Sequence, residues 1–265
     1  MEPILSTGAP APSLPLALDH LVVAAATLDE GEAWLQQRLG PSPIDPLGRP
    51  GAQASGMEGL SGMGGLMPGG SHPGYGTHNR LLRLGSAHYL ELIAPDPAQA
   101  GAHRRGGTTL FGLDQPAMTA ALAGGPRLMH LVLRVTQPGS LASLLPRLRY
   151  DPGPIVRMTR GDLAWDLTLA RGGRLAGDGL LPTLIDWGSA PHPCTRLPES
   201  GIVLESIRIQ GPEFVVAAFP EPATGADHAR ITLAAAPTAE ISAGFRIGER
   251  RIIIQSALSI RELAR

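Results

Sequence analysis

Two short apolar runs, each with one histidine near its start, constrain this chain more than any other feature. They are Ala17-Leu18-Asp19-His20-Leu21-Val22-Val23-Ala24 and Leu128-Met129-His130-Leu131-Val132-Leu133-Arg134-Val135. Runs of this length and β-branched content read as buried strands. Each precedes a helix-like segment, Gly31 to Leu39 and Ser140 to Leu148. A histidine inside an aliphatic strand needs a reason, and two in similar settings point to an internal duplication. Simple alternation places Leu18, His20 and Val22 on one face of the first run, with Asp19, Leu21 and Val23 on the other. It places Leu128, His130, Val132 and Arg134 together in the second.

The segments between these runs extend the pattern. Residues 1–15 read as a loose Pro/Ala/Ser arm. Thr27 to Leu39 reads as a helix with Asp29 as cap, Ala33, Trp34 and Leu39 as its apolar stripe, and Gly40 as its stop. Residues 51–76 are glycine-rich, with Met57, Met63 and Met67 interspersed. They read as neither strand nor helix, but as an insertion without fixed structure or as a lid whose methionines meet an apolar ligand. Asn79 to Leu84 and Ala87 to Ala94 form a hairpin in which Tyr89, Glu91 and Ile93 share a face. After a connection with a short helix near Ala117 to Leu122, the second run begins. Its helix can stop early at Pro146. Strands follow at Ile155 to Thr159, Asp162 to Ala170 and Leu180 to Trp187. Gly201 to Gln210 and Ile231 to Ala235 are strand-like, and Ile241 to Arg246 with Arg251 to Gln255 form a hairpin. The fold class is α+β, with two pseudo-repeated β-α-β-β-β modules rather than a doubly wound sheet. The first module spans 16–125 and the second 126–195. A strand-rich extension, 196–265, is an incomplete third unit that serves as an extra sheet or as a homodimer surface.

Composition narrows the function. A net charge of -1 argues against nucleic acid and anionic membrane as partners. All 22 basic residues are arginine, which suggests coding bias more than a role. Aromatics are 4% of the chain, so the core is built of Leu, Val, Ile and Ala. The single cysteine, Cys194, excludes an intrachain disulfide. With no secretory signal at the N-terminus and no apolar stretch near the ~20 residues of a membrane span, the expected location is the cytoplasm.

Leu18-Asp19-His20-Leu21-Val22-Val23, then Gly76-Thr77-His78-Asn79, then Tyr89-Leu90-Glu91-Leu92-Ile93-Ala94 resembles the glyoxalase-like branch of the vicinal oxygen chelate superfamily. Gly179-Leu180-Leu181-Pro182, Leu184-Ile185-Asp186-Trp187-Gly188 and His192-Pro193 are similar to its second half. The resemblance covers roughly Leu16 to Pro193. It implies paired modules whose sheet curls into a cup. It also implies a metal held by the first strand of each module and by carboxylates on the last, here His20, Glu91 and His130. For the fourth ligand two registers stand. One sets Thr183 opposite Glu91. A slip of three residues sets Asp186 there.

Two imidazoles and a carboxylate suit Fe, Mn, Ni or Zn, acting as a Lewis acid on substrate oxygens. The first functional reading is therefore a metalloenzyme acting on a small oxygen-bearing organic substrate by isomerase, lyase or dioxygenase chemistry, with Glu91 both ligand and catalytic group. The alternative is a metal-free cup that binds or sequesters a small molecule. His78, Asn79, Arg134, Trp187 and His192 are candidate substrate contacts. Arg134 also reads as half of a structural ion pair with Glu91 or Asp186, and His72 as an exposed loop residue. His192-Pro193-Cys194 sets a thiol near a base, but proline fixes the chain and no third orienting group is evident. The Gly62-Met63-Gly64-Gly65 run lacks the Lys-Ser/Thr of a phosphate loop, so no nucleotide cofactor is expected.

Overall fold

The first aliphatic run folds as β1 (Leu16–Ala24), buried along almost its whole length. The computed structural model describes residues 14–40, 66–102, 104–220 and 230–258. Helix α1 (Leu28–Leu39) follows β1 directly. Its cap is Thr27, not Asp29: the Thr27 hydroxyl oxygen accepts the Glu30 amide at 3.1 Å. Asp29 and Glu30 instead occupy the first turn, where the helix dipole favours acids. The helix buries Leu28, Gly31, Leu35 and Leu39 against the sheet. Trp34 is only partly buried, with the Arg38 guanidinium 4.0 Å over its ring.

The glycine-rich stretch holds a strand, contrary to its composition. Residues 51–65, with Met57 and Met63, lie outside the described residues. β2 (Leu66–His72) pairs antiparallel with β3 (Thr77–Leu84), which pairs with β4 (His88–Pro95). β2 tolerates glycine because it is an edge strand with a bulge between Pro68 and Gly70. Close neighbours also demand small residues there: a Cβ at Gly69 would fall 2.0 Å from Asn79 Oδ1.

After α2 (Pro116–Ala123), the second module repeats the first with β5 (Arg127–Val135), a short α3 (Leu141–Leu144), β6 (Ile155–Arg160), β7 (Leu163–Thr168) and β8 (Thr183–Asp186). All eight strands form one sheet in the order β2-β3-β4-β1-β5-β8-β7-β6. β1 runs parallel to β4, β5 runs parallel to β8, and β1 meets β5 antiparallel at the centre. The arrangement is two pseudo-repeated modules forming one curled, open half-barrel.

Simple alternation fails in both histidine strands, and at the same place. Between β1 and β5 the register skips Asp19 on one side and Met129 on the other. Each is the extra residue of a β-bulge immediately before a histidine. The bulge reverses which face the later residues occupy. Leu18 therefore joins Leu21 and Val23 in the outer core, and Leu128 joins Leu131 and Leu133 there. Val22, Ala24, Met129 and Val132 pack inside the cup. The inside is closed by Tyr75, Leu110, Phe111 and Leu113.

The C-terminal residues make a second sheet. β9 (Ile202–Gly211), α4 (Glu213–Ala218), β10 (Ile231–Ala235), β11 (Ala239–Ile247) and β12 (Arg250–Leu258) give the order β10-β9-β11-β12. Ile207, Ile241 and Phe245 share one core with Leu18, Leu131 and the α1 leucines. The extension is thus an extra sheet laid on the outer face. Among the described residues, no helix is long and apolar enough to cross a membrane.

Candidate active site

The bulge at Asp19 sets up the site. It brings the carboxylate and the imidazole of adjacent residues into contact, with His20 Nδ1 donating to Asp19 Oδ1 at 2.7 Å. Asp19 is fully buried. Its other oxygen accepts Trp187 Nε1–H at 2.9 Å and His192 Nε2–H at 3.1 Å. The Cys194 amide donates to His192 Nδ1, which fixes that tautomer. Burial alone would raise the Asp19 pKa. The hydrogen bonds from His192 and His20 outweigh it and hold the carboxyl far below the usual range.

His20 stacks on Tyr89, centroids 4.5 Å apart, and presents Nε2 to Glu91 Oε2 at 3.3 Å. That contact lacks hydrogen-bond geometry, so Nε2 is a buried donor without a partner. Burial disfavours the imidazolium, but the Asp19 hydrogen bond and the adjacent Glu91 carboxylate prevail and push the His20 pKa up to about 9. Burial raises the Glu91 pKa in turn, and the His20 contact, His72 and Asn79 more than reverse it. Asn79 Nδ2 donates to Glu91 Oε1 at 2.6 Å, while Asn79 Oδ1 is buried without a partner. Both shifts favour imidazolium beside carboxylate.

These groups line a narrow cleft of about 40 Å³, walled by Leu110, Phe111, Met158, Trp165, Ile185 and Trp187. His72 lies in the same wall. It is buried, with Nδ1 on Thr77 Oγ1 at 2.8 Å and burial lowering its pKa, so it is no exposed loop residue.

His130 occupies the equivalent place in the second module but does other work. The Thr183 amide donates to its Nε2 at 3.1 Å, and its Nδ1–H donates to Gly179 O at 2.7 Å. Burial lowers its pKa to about 4. Both nitrogens of a neutral ring are spent on the protein itself. The strand registers also settle the fourth position. Glu91 lies opposite Val22 and Thr183 opposite Val132, the residues two beyond each histidine. Thr183 is the counterpart of Glu91, not Asp186. Asp186 accepts the Gly139 and Gly188 amides at 2.7 and 2.8 Å and holds the ends of loops.

The donor set expected for a metal thus does not fit one. One histidine is committed, one position is a threonine, and no group of three His, Cys, Asp or Glu among the described residues is arranged to hold a cation. Of the expected substrate contacts, Asn79 and Trp187 line the cleft, and His192 braces it through Asp19. His78 lies on the opposite face of β3 and lines a separate groove with Arg80 and Asp96. Arg134 meets neither Glu91 nor Asp186. Its guanidinium donates to the carbonyls of Leu18 and Ala87 and ties the bulge to β5. Cys194 Sγ donates to His88 O, and burial pushes the thiol up to about 11, which leaves it inert as a nucleophile. Sequence reasoning missed Asp19 and Tyr89. The available signal was an acid directly before His20 in a run otherwise aliphatic.

A family model described as a glyoxalase-like domain matches residues 18–221. No curated protein matches. Among solved structures, methylmalonyl-CoA epimerase from Mycobacterium tuberculosis is similar at 22% identity over 69% of this chain and 95% of that one, with a TM-score of 0.37. A variant of the Streptomyces coelicolor methylmalonyl-CoA epimerase, in complex with 2-nitronate-propionyl-CoA, is similar at 16% identity over 65% and 98%, with a TM-score of 0.36. A xylose isomerase-like TIM barrel/4-hydroxyphenylpyruvate dioxygenase fusion protein matches at 15% identity over 100% of this chain and 36% of that one, with a TM-score of 0.39.

Proposed function

The chain belongs to the glyoxalase-like domain family, and from that premise we propose that its cleft is an acid–base site that moves a proton at the carbon beside a carbonyl of a small oxygen-bearing substrate. The observation that carries this reading is the His20 Nε2 donor, buried, unpartnered and 3.3 Å from the Glu91 carboxylate. Glu91 takes the proton from carbon, and the C–H electron pair passes through the new C=C bond onto the carbonyl oxygen. The oxyanion that forms accepts the His20 Nε2–H. Return of a proton to carbon completes an isomerisation or epimerisation with no net redox change. A preorganised donor in a water-poor site favours the charge that develops in the transition state. Asp19 keeps His20 protonated and oriented, and Asn79 orients Glu91.

The test is deuterium wash-in. The protein is incubated in D2O with small 2-oxo acids, 2-hydroxy carbonyl compounds and thioesters, and exchange at the carbon beside the carbonyl is followed by NMR. Exchange is expected with at least one class, slowed about 10²- to 10⁴-fold in Glu91→Gln. EDTA is expected to leave the rate unchanged. Chelator-sensitive exchange restored by Fe, Mn, Ni or Zn would return the site to metal chemistry. Compounds that bind without exchanging would establish a binding role instead.

A further inference from the structure

Several arginines of the cup are spoken for. Arg80 pairs with Asp29 and Glu32, Arg104 with Asp114, and Arg157 with Asp166, while Arg134 bonds main-chain carbonyls. Arg160 is different. It ends β6, the edge strand at the far side of the cup, and is half-buried. No carboxylate lies within ion-pair distance of it among the described residues. Its guanidinium lies over Trp165, 5.7 Å from the ring centroid. The opposite edge strand makes room for its stem, because a Cβ at Gly70 would fall 2.9 Å from Arg160 Cδ.

Arg160 and Trp187 line two cavities at once. One is the cleft of His20 and Glu91, and the other is a surface cavity of about 420 Å³ that also holds Arg157, Arg196 and Asp162. The cleft is therefore bipolar. Buried Asp19 and Glu91 repel an anion at its inner end, and an unpaired guanidinium attracts one at its mouth. A guanidinium over an aromatic ring is weakly hydrated and preorganised for carboxylate or phosphate.

We propose that Arg160 anchors an anionic group, carboxylate or phosphate, of the substrate, and so directs its carbonyl end inward to His20 and Glu91. This deepens the acid–base reading and rests on it for the role of the inner end.

The test is binding, which needs no turnover. Trp165 and Trp187 fluorescence is titrated with pyruvate, neutral methyl pyruvate and acetol phosphate at constant ionic strength. Both anions are expected to perturb the signal, with methyl pyruvate binding about 10- to 100-fold more weakly than pyruvate. The tighter of the two anions identifies the headgroup. Arg160→Gln is expected to weaken both anions by a similar factor and leave methyl pyruvate unchanged, and Arg160→Lys to recover part of the loss. Anion binding unchanged in Arg160→Gln, methyl pyruvate matching pyruvate, or no response to any of the three would overturn the proposal. The same titration in Glu91→Gln separates the two claims. Anion binding that survives without deuterium exchange in the parent sinks the acid–base reading alone.

Discussion

The two histidines share a strand position and a bulge, yet their partners send them to opposite ends of the titration range. His20 gains carboxylates and is held as a cation, while His130 gains a carbonyl and an amide and stays neutral. The sign of the linkage follows. A His20 pKa raised from 6.5 to about 9 contributes stability that is full below about pH 6.5 and is lost as pH rises through about 9. The lowered Glu91 pKa contributes above its ordinary 4.5 and is lost as pH falls through the folded value. Catalysis that needs imidazolium and carboxylate together should fall along an alkaline limb near pH 9. Asp19→Asn is expected to move that limb toward acid, with the His20 ring titrating lower by NMR. A parent His20 that titrates near 6.5 would contradict the Asp19 clamp. His130→Ala has a different signature. It orphans the Gly179 carbonyl and the Thr183 amide at about 1–3 kcal/mol each, so denaturant midpoints should fall while the pH profile of exchange keeps its shape.

At the level of elements, the duplication and most strands were legible because aliphatic periodicity reports burial directly. The faces were not. A single extra residue, Asp19 or Met129, inverts every assignment beyond it, and nothing in the composition of an aliphatic run announces a bulge. β2 was hidden for the opposite reason. Gly69 and Gly70 answer to the Asn79 and Arg160 side chains, so tertiary contacts override a composition that argues against a strand. The exchange of Glu91 for Thr183 was readable only from the register, which pairing decides. Close contact also makes α1 testable. Gly31 is the fourth residue of α1, inside the helix, where alanine ordinarily gains up to about 1 kcal/mol. Here a Cβ would meet Leu92 Cδ1 at 2.3 Å and Ala25 Cβ at 2.9 Å. Gly31→Ala should therefore destabilise by about 1–3 kcal/mol in chemical denaturation despite better helix propensity. A neutral or stabilised variant would mean that α1 can lift from the sheet at little cost.

Over the whole molecule, the cup has two faces with different duties, and the C-terminal sheet belongs to the outer one. The inner face carries the charged cleft and a modest apolar lining, whereas the outer face is a continuous aliphatic surface that α1 covers only in part. Ile207, Ile241 and Phe245 complete that cover, so the four-stranded sheet and the cup share a single core. Shared cores unfold together. This can be read out cleanly because Trp34, Trp165 and Trp187 all lie outside the C-terminal sheet. Phe245 is 1% exposed, and Phe245→Ala should cost about 3–5 kcal/mol. The loss should appear as one transition with the same midpoint by tryptophan fluorescence and by far-UV circular dichroism. If the C-terminal sheet were an independent unit, the variant would lose part of its dichroism first while the tryptophan signal held. Coincident midpoints would instead mean that the outer sheet helps to hold the geometry of His20 and Glu91, although none of its described residues lines the cleft.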